Sequence, residues 1–145
     1  MSAALALVFT VTTLEGVALA TRDMAAADRP FVRRTWIESY RKRSVVEPDV
    51  YDVEMPRLVD DLLDGSRSIV AYREAMPDVV HAFAIGAPGI CLHYAYTAGV
   101  LRMRGISRQL AHAVTGLRAP MQMTCRGPGL LNRYVFNPFL LRQPL

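Results

Sequence analysis

Three apolar segments in the middle of the chain are separated by turns too short to hold a helix. They are SIVAYR at 68–73, VVHAFAI at 79–85 and ICLHYAYT at 90–97, each rich in residues that favour strands. The turn signals between them are Pro77-Asp78 and the run from Gly86 to Gly89. A parallel pair would need a crossover of a dozen residues or more. The chain must therefore contain an antiparallel three-stranded meander.

Helical patterns lie on both sides of this meander. Asp28 before Arg29-Pro30 suits a helix start, and apolar residues recur every four positions from Val32 to Tyr40. We expect a connecting loop at 44–54 and a second helix from Pro56, ended by Gly65. A third helix is expected from Ile106, ended by Gly116.

Further short strands are expected outside the meander. They lie at 5–11, 17–21 and 120–124, and the tail, with a hydrophobic YVF at 134–136, is expected to hold a short helical turn and a final strand. The resulting order predicts an α+β fold, with three α/β/α layers around a mixed, mostly antiparallel sheet. We expect residues 17–145 to form a single domain, preceded by an N-terminal extension, 1–16, that can add a strand.

Charge is unevenly distributed along the chain. The net charge is +4, but every acidic residue lies at or before Asp78. From Val79 to Leu145 there are seven arginines and no Asp, Glu or Lys, a charge of +7. Such a field favours an anionic partner, which can be a phosphorylated cofactor, a nucleic acid or an acidic protein surface.

Cysteine usage and hydropathy bear on the compartment. Cys91 and Cys125 are 34 positions apart and fit neither a disulfide framework nor a zinc ligand set, so we expect no metal. No apolar stretch reaches the ~20 residues that span a bilayer, so no membrane partner is expected. The expected compartment is the cytoplasm, which is the host cytoplasm if the chain is phage-encoded.

The segment from Leu92 to Leu110 carries the most chemical information. A strand there runs through an Arg/Gly turn directly into a helix, whose first N–H groups have no internal partner and carry positive dipole charge. Gly105 allows close backbone approach, and Arg102, Arg104 and Arg108 add charge. The pattern predicts an anion site, but it lacks the Gly-Lys-Ser/Thr of a P-loop and the three glycines of a dinucleotide fingerprint.

The run Arg102-Met103-Arg104-Gly105-Ile106-Ser107 resembles the acetyl-CoA motif Q/R-x-x-G-x-G/A of GNAT N-acetyltransferases. Only the last position departs, with Ser in place of Gly or Ala. HYAYT at 93–97 is similar to the family's fourth strand, and Arg22 and Asp28 have the spacing of its R-x-A-T-x-x-D motif. Segments 35–43 and 136–141 resemble short GNAT proteins of bacteriophages and their hosts. The resemblance covers about residues 17–141.

This resemblance implies a V-shaped gap between the family's fourth and fifth strands, which holds the pantetheine arm of acetyl-CoA or another acyl-CoA. The arm would bind backbone groups of Ala95, Tyr96 and Thr97. The pyrophosphate would bind the amides of Arg102, Met103, Arg104, Gly105, Ile106 and Ser107. The implied activity is transfer of an acetyl group to a primary amine of a small molecule or protein, with a homodimer as one option.

Residues for proton transfer are harder to assign. Family members often carry a Glu base on the fourth or a neighbouring strand, but this chain has no carboxylate side chain beyond Asp78. His93, Glu74 and ordered water are the remaining candidates for the base. Tyr134 is the only tyrosine in the region where the family carries its general acid.

Two other functions are compatible with these features. The missing carboxylates favour a non-catalytic member of the family that acts as an interaction or regulatory protein. The basic half would also suit nucleic-acid binding. We rank nucleic acid last, because the arginines concentrate at the cofactor motif.

Overall fold

The computed structural model describes residues 10–12, 16, 18–42, 44–99, 105–117, 121–124, 134–137 and 141. These ranges contain seven strands and three α-helices. The strands are β1 (Thr10–Thr12), β2 (Ala18–Asp23), β3 (Arg67–Arg73), β4 (Met76–Ala87), β5 (Cys91–Thr97), β6 (Met121–Met123) and β7 (Tyr134–Phe136). The helices are α1 (Arg29–Arg41), α2 (Pro48–Gly65) and α3 (Ile106–Thr115), and a short 3-10 turn, Ala26–Asp28, precedes α1.

The seven described strands form one mixed sheet in which neighbours in sequence are neighbours in space. Pairing is antiparallel from β1 to β5, so the predicted meander is confirmed. Pairing becomes parallel from β5 to β6 and from β6 to β7. The long connection that a parallel pair requires contains α3, which crosses from the end of β5 to the start of β6.

Helices cover both faces of this sheet and create two cores. Helices α1 and α2 pack on one face against residues that include Val70, Phe83 and Ile85. Helix α3 packs on the other face against residues that include Ala84 and Leu92. The predicted α+β class and its layered arrangement follow directly from this alternation of side chains along the strands.

The predicted start of the second helix is wrong. Helix α2 begins at Pro48, within the segment expected to be a loop, and Pro56 lies inside it. Pro48 occupies the first turn, where a missing N–H costs nothing. Pro56 is tolerated because the helix buries Tyr51, Val59 and Leu63 on one face, and this burial outweighs one lost backbone hydrogen bond.

The turn between β3 and β4 also differs from the expectation. It lies at Glu74 and Ala75, whereas the predicted break, Pro77-Asp78, is inside β4. The pairing of β4 with β3 jumps from Val80 to Met76, so Pro77 lies at an irregularity where its missing N–H breaks no ladder bond. The described helices include none that is long and apolar enough to cross a membrane.

Candidate functional site

The end of β5 and the start of α3 are joined by a direct side-chain contact. Thr97 Oγ1 lies 2.6 Å from Ser107 Oγ, which connects the last residue of the strand to the first turn of the helix. Gln109 Nε2 donates a hydrogen bond of 3.0 Å to the carbonyl oxygen of Gly105, which also steadies this turn. The first N–H groups of α3, which have no acceptor within the helix, are thus held at the C-terminal end of β5.

Within the predicted phosphate loop, the structure describes Gly105, Ile106 and Ser107, while Arg102, Met103 and Arg104 lie outside the described residues. Gly105 precedes the helix with φ at +82°, a left-handed conformation that disfavours other residues. An added Cβ would meet only Gln109 Nε2, at 3.8 Å, so the backbone conformation selects glycine here. Ile106 is buried in the α3 core, which anchors the loop to the sheet.

The two edges of β5 are paired very differently. It pairs with β4 from Cys91 to Thr97, whereas within the described residues it pairs with β6 between Leu92 and Met123. Ala98 donates a 2.8 Å hydrogen bond to His81 O on β4, which fixes the alternation of peptide groups along the strand. The peptide groups of Tyr96 therefore face β4, and those of Ala95 and Thr97 face the opposite edge. Of the three predicted pantetheine-binding residues, Ala95 and Thr97 therefore direct their peptide groups away from β4, whereas Tyr96 directs its peptide groups toward β4.

His93 lies at an irregularity of β5. The pairing with β4 passes from Tyr94 opposite Ile85 to Leu92 opposite Gly86, so His93 is an extra residue between them. Its side chain is 3% exposed, and Nδ1 lies 2.7 Å from Thr124 Oγ1, just after β6. Burial lowers the pKa of His93 to about 4, because an imidazolium would lose its hydration there. The imidazole is neutral at pH 7.

Glu74 and Tyr134, the other predicted proton-transfer residues, lie elsewhere. Glu74 is exposed on the turn between β3 and β4. The residues on either side of His93 pair with Ile85 and Gly86, near the end of β4 that is distant from Glu74. Most of the length of β4, on the order of 30 Å, therefore separates Glu74 from His93. Tyr134 begins β7 opposite Met121, and its side chain lies outside the described residues.

The tyrosines of β5 belong to the α1 side of the sheet. The rings of Tyr94 and Trp36 stack with centroids 5.3 Å apart, and the Tyr94 hydroxyl hydrogen-bonds Ser39 Oγ. Tyr96 stacks on Phe83 at 5.2 Å. These contacts show that both side chains pack between the sheet and the helices on this face. A ligand at the edge of β5 would therefore contact its backbone groups and not these two side chains.

Arg22 and Asp28, singled out by their spacing, do form a pair. The two terminal guanidinium nitrogens of Arg22 donate to the Asp28 carboxylate, which also accepts a 2.8 Å hydrogen bond from the Ala25 amide. Burial alone would raise the pKa of Asp28, but the hydrogen bonds from Arg22 and Ala25 outweigh it and lower that pKa. The pair fixes the approach to α1, and Asp28 makes no side-chain cap bond to that helix.

Thr124 is the residue that sequence reasoning missed. It is the last residue of the strand predicted at 120–124 and directly follows β6 in the structure, and its only sequence signal is a hydroxyl where the strand ends. Together, the peptide groups of Ala95 and Thr97, which are directed away from β4, and the first N–H groups of α3 lie on either side of the predicted phosphate loop. The described residues contain no group of three His, Cys, Asp or Glu side chains that could hold a metal ion. No known protein-family model, curated protein or solved structure matches this chain.

Proposed function

We propose that this chain is an acyl-CoA-binding protein of the GNAT class that transfers an acetyl group from acetyl-CoA to a primary amine. The acceptor would be a small molecule or a protein. One observation carries the proposal: Thr97 and Ser107 join a strand edge with outward peptide groups to the N-terminus of a helix. An extended ligand that ends in phosphates suits such a continuous surface.

The described residues fit acetyl-CoA in two respects. We expect the gap that the family resemblance implies to open beyond Leu92, the residue of β5 that pairs with Met123 on β6, so that peptide groups of Ala95 and Thr97 would bind the pantetheine arm. The left-handed backbone at Gly105 leaves no side chain above the first turn of α3, where the pyrophosphate would bind. The exposed Arg108 side chain would add positive charge beside it.

Acetyl-CoA would supply an activated thioester, whose carbonyl carbon is attacked by the amine while the thiolate leaves. The residues of this chain would orient the arm along β5 and stabilise the developing oxyanion with a backbone N–H. A base with a pKa near 4 is too weak to deprotonate an ammonium group efficiently, which disfavours His93 in that role. Ordered water or an amine that is already deprotonated then becomes the preferred route, and Glu74 and Tyr134 stay predictions.

A non-catalytic CoA-binding protein is the second candidate. It is favoured by the burial of His93 against Thr124, together with the absence of any acidic residue after Asp78 in the sequence. Both candidates share the cofactor site, so cofactor binding is tested first and turnover second.

The decisive experiment compares two glycines at opposite ends of α3. Gly105 and Gly116 both have positive φ, at +82° and +69°, so each Gly→Glu change carries a similar backbone cost. Native mass spectrometry and calorimetry should detect CoA binding to the parent. Gly105→Glu should abolish binding because its carboxylate would occupy the phosphate position, whereas Gly116→Glu should bind within about threefold of the parent. Equal binding by the parent and folded Gly105→Glu would remove the loop as the phosphate site.

A further inference from the structure

The contact between β5 and β6 is held by few polar groups. In the described part of the chain, Leu92 pairs with Met123, the Thr124 amide donates a 3.2 Å hydrogen bond to Leu92 O, and His93 Nδ1 lies 2.7 Å from Thr124 Oγ1. The bond from the Thr124 amide is part of the Leu92–Met123 pairing, and the Thr124 side chain adds the contact to His93. The position of β6 beside β5 therefore depends strongly on the residue that follows β6.

The environment of the two side chains makes their hydrogen bond important. His93 and Thr124 are only 3% and 2% exposed, so water cannot readily replace either partner if the other is removed. A buried polar atom that loses its partner costs more than an average hydrogen bond contributes. The irregularity of β5 at His93 places this side chain between two regularly paired residues, directly after Leu92, which pairs with Met123 on β6.

We infer that His93 is a positioning residue that holds β6 against β5 through Thr124 and so sets the closed end of the gap between the two strands. Its role is to form a neutral hydrogen bond through Nδ1, and no proton is transferred to substrate. The strand contact needs no ligand. Its consequence for CoA affinity rests on the proposed function, since a displaced β6 would change the width of the gap.

Two amide substitutions separate this role from its alternatives. The Asn side-chain amide lies the same number of bonds from Cα as Nδ1, and the Gln amide lies as far as Nε2. His93→Asn can therefore keep the bond to Thr124, in either direction, because an amide has both a donor and an acceptor. His93→Gln is closer to histidine in size but misplaces the polar group. Neither variant can act as a base.

Hydrogen–deuterium exchange of the backbone amide at position 124, followed by NMR, tests the strand contact without any ligand. We expect His93→Gln and Thr124→Val to speed this exchange on the order of 10-fold, and His93→Asn to stay within about threefold of the parent. The effect of joining His93→Gln and Thr124→Val should be smaller than the sum of the two single effects, since both remove the bond between His93 and Thr124. Unchanged exchange in all variants, or a larger effect for Asn than for Gln, would overturn the inference.

Calorimetry with CoA on the parent and the three single variants tests the consequence. The expected order of affinity is the parent and His93→Asn first, with His93→Gln and Thr124→Val weaker on the order of 10-fold. If the parent binds CoA and all variants bind equally, His93 does not position the site. If the parent binds no CoA while the exchange order holds, the proposed function fails and the strand contact is supported.

Discussion

At neutral pH the imidazole of His93 is uncharged, because a side chain that is 3% exposed loses most of its hydration on becoming an imidazolium. The chain has only three histidines, and this one lies on the strand that precedes the predicted phosphate loop. Its position in the sequence suggests that it accepts a proton, but its buried surroundings keep it neutral, so its role is to form a hydrogen bond. The difference comes from burial, which depends on how β4, β5 and β6 pack.

The depressed pKa of His93 makes folding depend on pH. The folded pKa is about 4 and the ordinary value is 6.5, so between them the unfolded state binds more protons. Stability should be full above about pH 6.5 and fall as the pH is lowered to about 4, by about 3 kcal/mol in all. Urea denaturation across this range should show the slope, and His93→Asn should remove most of it. His112→Asn, at a half-buried position on α3, is the control and should keep it.

The sequence can identify site residues whose role depends on local backbone, and it fails for those whose role depends on distant partners. Gly105 is predictable, because a strand, a basic turn and a helix in succession require a residue there that adopts positive φ. Pairing of Arg22 with Asp28 spans six positions and is suggested by a motif. Contact between His93 and Thr124 spans 31 positions and two parallel strands, and no local pattern indicates it.

Helix α2 shows the same limit at the scale of an element. Pro56 and the polar run before it suggest a loop followed by a helix that begins at Pro56, because proline interrupts the interior of a helix but suits its first turn. The helix extends to Pro48 because it packs on α1, where Arg29 and Arg33 form ion pairs with Asp60 and the Tyr51 hydroxyl donates to Ile37 O. Strands of the meander were more predictable, since short turns and alternation leave few other arrangements. The packing between α1 and α2 cannot be predicted from the sequence of either helix taken alone.

Gly86 controls how closely α3 approaches the sheet. It lies within β4, and a Cβ added there would be 2.8 Å from Cys91 O and 3.0 Å from Thr115 Cγ2. The nearer atom belongs to the backbone and cannot move without disturbing the β4–β5 turn. We therefore expect Gly86→Ala to lower the free energy of unfolding by about 2 kcal/mol.

Gly65→Ala provides the matched control for this prediction. Gly65 is the last residue of α2, and an added Cβ there has no atom within 4 Å. Chemical denaturation should show no loss for Gly65→Ala, and a gain of up to about 1 kcal/mol is compatible with helix propensity. The close-approach argument fails if the two variants are equally stable.

For the molecule as a whole, the layout of charge agrees with the proposed cofactor. Arginines of α1 are engaged by acids of α2, as in the pairs of Arg29 with Asp64 and Arg41 with Asp52. Arg108 lies in the first turn of α3, where cationic side chains oppose the helix dipole unless an anion is bound. A basic half with no carboxylate therefore gains stability when phosphates bind.

Acetyl-CoA should accordingly stabilise the folded chain. A ligand that binds only the native state adds about 2.7 kcal/mol to the free energy of unfolding at a hundredfold excess over Kd, which a thermal melt would detect.

If turnover occurs, the amine should control the pH dependence of the reaction. Because His93 is already neutral well below pH 7, it cannot produce an ascending limb in kcat/KM near neutrality. Across a panel of amines assayed by thiol release, the limb should follow each acceptor's own pKa and persist in His93→Asn. A limb at one pH for all acceptors would indicate an enzyme base instead, and cofactor binding without turnover on any amine would favour the non-catalytic protein.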